Sequence, residues 1–248
     1  MSIPKVIHYC WFGKNPLPES VQNCIKSWKT YCPDYQIIEW NENNFDLSKS
    51  SFAQAAYSAK KWAFVSDYAR VCILNEFGGI YLDTDVQLIK SLDPFMKYDL
   101  LFGFERDDRI MTALIGSAPN ASFMKKIENY YSGLNFVNPD GSFYSDPNVR
   151  LFSTMFAEMF QCSLDGKLIE RDNVVVFPCD FFSPKSFLTG KIKLTPNSCA
   201  IHHFEATWLA PSQKAKQKAR ELIARILGEN FLLKLISIKR RFFQKTKI

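Results

Sequence analysis

The triplet Asp83-Thr84-Asp85 carries the most specific chemistry in the chain. Alternate residues on a strand share a face, so these two carboxylates can converge where a strand ends. Hard oxygen ligands of that kind suit Mg2+ or Mn2+. A divalent ion held there can bridge the two phosphates of a nucleotide-sugar and neutralise the charge that grows on a leaving diphosphate. A solvated acidic turn has the same letters. Here, however, the acids sit among Ile80, Leu82, Val86 and Leu88, where an unpaired charge is costly. Upstream, Asp67 and Arg70 are spaced i, i+3, which places them on one face of a helix. One can accept hydrogen bonds from a ribose and the other can bind phosphate or orient a carboxylate; an intrahelical salt bridge is the plainer alternative.

The surrounding pattern supplies elements to position these groups. Lys5 to Trp11 reads as a buried strand, and Val21, Cys24, Ile25, Trp28 and Cys32 recur at helical spacing after a Gly13/Pro16/Pro18 loop. Tyr35 to Trp40 gives a second strand. Lys61 to Phe77 predicts a long helix, stopped by Gly78-Gly79, that feeds the strand leading into the acidic triplet. Further strands are expected at 100–105, 113–116, 174–177 and 199–204, and helices at 121–134 and 148–160. No repeat or low-complexity linker divides the body, which predicts an α/β fold, an open sheet flanked by helices on both faces.

A chain of 248 residues that is 47% hydrophobic can fill the core of one catalytic domain. Its seven cysteines are odd in number and never paired as C-x-x-C, which argues against a disulfide framework or a zinc site and for a reducing, cytoplasmic home. Neither a leader sequence nor a run of about 18 apolar residues is evident. The charge is uneven. Between Pro211 and Ile248 stand eleven Lys or Arg against two Glu, so this tail carries +9 of a net +6 and the rest of the chain is acidic. Nucleic acid is therefore not an expected partner. We expect a catalytic domain at 1–210 and a basic, amphipathic helical tail at 211–248. The tail reads either as a helix packed on the domain or as an interfacial segment on an anionic membrane.

The segment SDYARVCILNEFGGIYLDTDV resembles the signature of glycosyltransferase family 32, which includes bacterial capsule and lipopolysaccharide glycosyltransferases and fungal mannosyltransferases. IPKVIHYCWFG resembles the family's opening I-P-K-x-I-H-x-x-W, and IHHFEATW its closing H-x-x-x-x-S-W, with Thr207 in place of Ser. The likeness brackets residues 3 to 208 but is thin between about 105 and 198. It implies a GT-A-type open mixed sheet, with Trp11 stacking on the nucleobase, Asp67 holding the ribose and Arg70 fixing the donor. By the same resemblance Asp83 contacts ribose and sugar or the metal, Asp85 is the direct ligand of Mn2+ or Mg2+, and Tyr81 lines the pocket. His202, rather than His203, joins the metal or the diphosphate, and Trp208 closes over the diphosphate. Read from the residues alone, Trp11 is as well a core ring and the paired histidines an accident of an edge strand. His8 reads as structural.

The activity this implies is transfer of a hexose from a UDP-sugar to a saccharide acceptor, lipid-linked at the inner face of the membrane, with retention of configuration. GDP-mannose is the alternative donor. No glutamate stands out as a nucleophile, so attack from the leaving-group face is expected. Two other classes share part of the signal. A glycoside hydrolase also uses two carboxylates but needs no nucleotide, and a non-catalytic glycan-binding module would bind without turnover.

Overall fold

The computed structural model describes residues 2–205 and positions 219, 222–224, 226 and 228. The chain begins with β1 (Val6–Cys10), α1 (Glu19–Tyr31) and β2 (Gln36–Trp40), and continues through α2 (Ser51–Ser58) and α3 (Trp62–Phe77) into β3 (Gly79–Leu82) and β4 (Val86–Leu88). Next come β5 (Leu100–Arg106), β6 (Arg109–Ile110), β7 (Leu114–Ser117), α4 (Ser122–Ser132) and α5 (Asn148–Phe160). β8 (Ile169–Arg171), β9 (Val174–Phe177), α6 (Cys179–Phe182) and β10 (Ala200–His202) complete the described elements.

The main sheet runs β2-β1-β3-β7-β5-β9-β8, with β6 attached to β5. β1 is parallel to β2 and β3, β7 is antiparallel to both β3 and β5, and β9 is parallel to β5. It follows that β1, β2, β3, β5 and β9 all point the same way, and their carboxyl ends share one edge. Open α/β sheets bind ligands at that edge. β4 and β10 form a separate antiparallel ribbon in which His202 lies opposite Val86.

Each face of the sheet is covered. α1 buries Val21, Cys24, Ile25 and Trp28 on one side, and the Trp28 indole donates to the Val86 carbonyl at 2.7 Å, tying helix to ribbon. On the other side α3, α4 and α5 pack Val65, Tyr68, Phe123, Phe152 and Phe156 against Tyr81, Phe102 and Phe104. α3 is apolar nearly all round because it is packed over most of its surface, and it buries Arg70 as well. It stops where Gly78 turns to φ 65° and its N–H bonds to the Leu74 carbonyl at 3.0 Å. Gly79, at φ 93°, must be glycine, since a Cβ there would stand 2.7 Å from the Val6 carbonyl oxygen.

A second compact unit contains Lys185–Lys193 and described residues from Phe204 onward, with an antiparallel bridge between Lys185 and Ile192. The tail expected at 211–248 lies almost wholly outside the described residues. No helix among those described is long and apolar enough to cross a membrane.

Candidate active site

The acidic triplet is not strand, as alternation had led us to expect, but a turn. Asp83 is anchored by its N–H to the Ala113 carbonyl at 2.8 Å, and the Val86 N–H reaches back to the Asp83 carbonyl at 3.0 Å. β3 therefore ends at Leu82, and the turn, not the pleat, brings the two carboxylates together. The ribbon then supplies the third group. Because His202 pairs with Val86, it stands beside Asp85, with its Nε2 at 3.4 Å from Asp85 Oδ1. One ligand atom from each of Asp83, Asp85 and His202 lies within 4.8 Å of the others. Burial lowers the proton affinity of His202, but the neighbouring Asp85, with Glu105 and Asp83 behind it, more than reverses this and raises its pKa. A divalent cation placed among these groups would compete with the proton for that imidazole.

Beneath the turn lies Arg70, 4% exposed. Its Nη2 is shared between Asp67 Oδ1 at 3.0 Å and Asp83 Oδ1 at 3.1 Å, its Nη1 donates to the Thr112 carbonyl at 2.7 Å, and its Nε donates to the Ser66 carbonyl at 3.2 Å. The guanidinium also lies 4.5 Å from the Tyr81 ring centroid, and the Tyr81 hydroxyl donates to Asp83 Oδ1 at 3.0 Å. Tyr81 is fully buried and meets the site from beneath, through its ring face and its hydroxyl. Asp67 receives a further hydrogen bond on the same Oδ1 from the Asn148 amide at 2.5 Å, and the Thr112 hydroxyl donates to Asn148 Oδ1 at 3.0 Å. Burial pushes the Asp67 carboxyl up to about 7 against the lowering pull of Arg70. Arg70 itself is held firmly charged by Asp83, Tyr81 and Asp67 despite its burial.

One consequence of this crowding is directional. The protein donors on Asp67 and on Asp83 all converge on Oδ1, so among the described residues Oδ2 of each is left to accept from, or ligate, something else. Neither Oδ2 is among the fully buried unpartnered atoms.

The other expected residues fall as follows. Trp11, just past the end of β1, is half-buried against the core with its indole N–H on the Asn15 carbonyl at 2.6 Å. His203 turns to Gln87 instead, at 3.0 Å. Trp208 and Thr207 lie outside the described residues. His8 has both ring nitrogens engaged within the protein, by the Trp40 indole at 3.0 Å and the Gly78 carbonyl at 3.0 Å, and burial lowers its pKa to about 4. It is a structural latch between β1, β2 and the end of α3. Sequence reasoning passed over Asn148, Thr112 and Glu105. Glu105, near the carboxyl end of β5, is half-buried; its pKa is raised by burial, and it lies within electrostatic range of His202, Asp83 and Asp85. It adds a carboxyl group where none was expected. The G-F-E ending of a buried strand was the available signal.

A mixed α/β/α sheet with an acidic turn at its carboxyl edge is the GT-A-type glycosyltransferase fold. The structure superposes on the PaToxG glycosyltransferase with a TM-score of 0.50 at 17% identity, over 64% of this chain and 70% of that one, a likeness of fold. Residues 18–101 match the family described as the glycosyltransferase sugar-binding region containing the DXD motif. The uncharacterized glycosyltransferase L373 of Acanthamoeba polyphaga mimivirus is 25% identical over 230 residues, 86% of each chain. Inositol phosphoceramide mannosyltransferase 3 of Schizosaccharomyces pombe is 28% identical over 130 residues, which is 51% of this chain and 36% of that protein. The chain thus spans about a third of the length of that fungal relative. The matched segment and these relatives support a family 32-like glycosyltransferase with a DXD region.

Proposed function

We propose that this chain transfers a hexose from a nucleotide diphosphate sugar to a saccharide acceptor, with retention of configuration, using a divalent cation bound by Asp83, Asp85 and His202. The observation that carries the reading is the convergence of those three ligand groups directly over the buried Arg70–Asp67 pair. The donor set fits Mn2+ or Mg2+: two hard carboxylates, one imidazole, and an Asp83 whose Oδ2 has no protein partner among the described residues. When bound, such a cation neutralises charge on the leaving diphosphate.

The chain's own residues do the rest. Asp67 presents Oδ2 to a ribose hydroxyl, while Arg70, which cannot lose its proton, opposes the effect of burial on Asp67 and fixes Asp67 and Asp83 in place. Trp11, half-buried at the end of β1, offers a ring face to the base, and Trp208 is proposed to cover the diphosphate. Tyr81 holds Asp83 from below. The attacking acceptor hydroxyl approaches from the leaving-group face and passes its proton to the departing phosphate oxygen.

UDP-hexose is the proposed donor. Mannosyl transfer from GDP-mannose is the second reading, favoured by the names of the fungal relatives. Those names also describe action on inositol phosphoceramide, a lipid, and the eleven basic residues after Pro211 suit an anionic surface. We therefore place the acceptor on a lipid carrier at the cytoplasmic face of a membrane, as in capsule or lipopolysaccharide assembly.

A panel of UDP- and GDP-sugars, each with Mn2+ and with EDTA, tests the reading by thermal unfolding and by release of nucleoside diphosphate. The true donor at ~100 times its Kd adds about 2.7 kcal/mol of stability, and only when Mn2+ is present. If no donor stabilises the protein or releases nucleotide, the reading is wrong.

A further inference from the structure

We infer that Asn148 is a positioning residue for donor recognition, acting through Asp67. The inference rests on the reading above that Asp67 meets the nucleotide's ribose. Asn148 opens α5, follows Pro147, and lies far outside the family match at residues 18–101. It is 81 positions from Asp67 in the chain, yet its Nδ2 donates to Asp67 Oδ1 at 2.5 Å.

The amide's orientation is fixed by the carboxylate, which as an anion only accepts, so Nδ2 is the group that faces Asp67. Oδ1 is then left to accept from the hydroxyl of Thr112, 4% exposed, at 3.0 Å. The opposite orientation would set a carbonyl oxygen against a carboxylate oxygen. Thr112 is itself anchored, because its backbone carbonyl accepts from Arg70 Nη1 at 2.7 Å. Asn148, Asp67, Arg70 and Thr112 therefore close a ring of contacts that joins the start of α5, the middle of α3 and the segment entering β7.

The ring acts on one torsion. A carboxylate held by Arg70 alone can rotate about its last bond and offer either oxygen to either side. Two donors on Oδ1, one from the guanidinium and one from the amide, stop that rotation and aim Oδ2 away from the protein. A hydrogen bond to a charged group contributes about 1.5–3 kcal/mol, so losing it is expected to weaken a ligand of Asp67 by roughly 10- to 100-fold. Metal binding at Asp83, Asp85 and His202 does not pass through Asn148 and should be spared.

The test uses the full chain with Mn2+ and, as probes, UDP and GDP, titrated calorimetrically against wild type, Asn148→Ala and Asn148→Asp. Urea unfolding of each variant is measured alongside. Asn148→Ala should bind the preferred nucleotide at least about tenfold more weakly while its affinity for Mn2+ alone stays at the wild-type value. Asn148→Asp puts a second carboxylate against Asp67 Oδ1. Its affinity, taken relative to wild type at the same pH, should be poor at pH ~8 and recover toward pH ~6 as the two carboxyls come to share a proton. Asn148→Ala should show no such recovery, and a residue that merely held α5 in place would give none in either variant. Unchanged nucleotide affinity in Asn148→Ala, or an Asn148→Asp that follows Asn148→Ala at every pH, overturns the inference alone. A wild type that binds Mn2+ but neither nucleotide overturns the donor reading and this inference together.

Discussion

Replacing Arg70 by methionine removes one side chain and takes the guanidinium from four groups: Asp67, Asp83 and the carbonyls of Thr112 and Ser66. Asp67 is 14% exposed and shares Oδ1 with the guanidinium at 3.0 Å. Stripping one member from a buried ion pair costs about 3–5 kcal/mol, most of it the burden of the charge left behind. The Thr112 carbonyl loses its donor at 2.7 Å, for about 1–3 kcal/mol. Asp83, at 29% exposed, is partly rescued by water and adds little. A loss of about 5 kcal/mol is therefore expected, large against the total stability of a domain. Arg70→Lys keeps the charge without the planar fork and should lie between. The decisive comparison is Asp67→Asn placed on Arg70→Met: taking away the stranded carboxylate should return about 2 kcal/mol, although each single change is harmful. Urea unfolding at neutral pH in EDTA reads the wild type, the three single variants and the double variant without interference from metal. A cost under about 1 kcal/mol for Arg70→Met, or a double variant no more stable than it, would refute the claim that this pair is a buried, interdependent unit.

His8 sets a pH dependence whose sign is fixed by its depressed pKa of about 4. The unfolded state takes up a proton near pH 6.5, before the folded state does, so stability is full above that pH and falls as pH drops through 4. The loss is about 3 kcal/mol, and a His8→Gln chain should lack this part of the acid slope in urea titrations. Glu105 tests the stereochemical route: with attack from the leaving-group face, Glu105→Gln should lower kcat by about 100-fold or less. A fall beyond about 10,000-fold, reversed by azide, would instead mark Glu105 as a covalent nucleophile.

Much of the scaffold was legible because apolar spacing is a local property. β1, β2, α1, α3 and α5 follow directly from it, and Gly78 ends α3 where its residue type indicated. α2 escaped notice because only Phe52, Ala53 and Ala56 of its eight residues are buried. β8 escaped because its partner is reached through Asp172 and Asn173, both at positive φ, a two-residue turn whose sequence is less conspicuous than Asn-Gly. Within the site, Asp67, Arg70, Asp83, Asp85 and His202 could be named from spacing and resemblance. Asn148, Thr112 and Glu105 could not, because their place depends on which segments the sheet order sets side by side. The two aspartates converge through a turn closed on Val86, not through the strand alternation that the sequence suggests.

Electron paramagnetic resonance titration of Mn2+ puts the central proposal to the most direct test, since free and bound ion are distinguished without any knowledge of donor or acceptor. Wild type should bind one Mn2+, more tightly as pH rises and His202 gives up its proton, and more tightly again when UDP or GDP is added. Asp85→Asn should lose that binding at every pH while unfolding in urea like the parent chain. Binding of Mn2+ by Asp85→Asn equal to wild type, or nucleotide binding that is the same in EDTA as in Mn2+, would contradict a cation site at Asp83, Asp85 and His202.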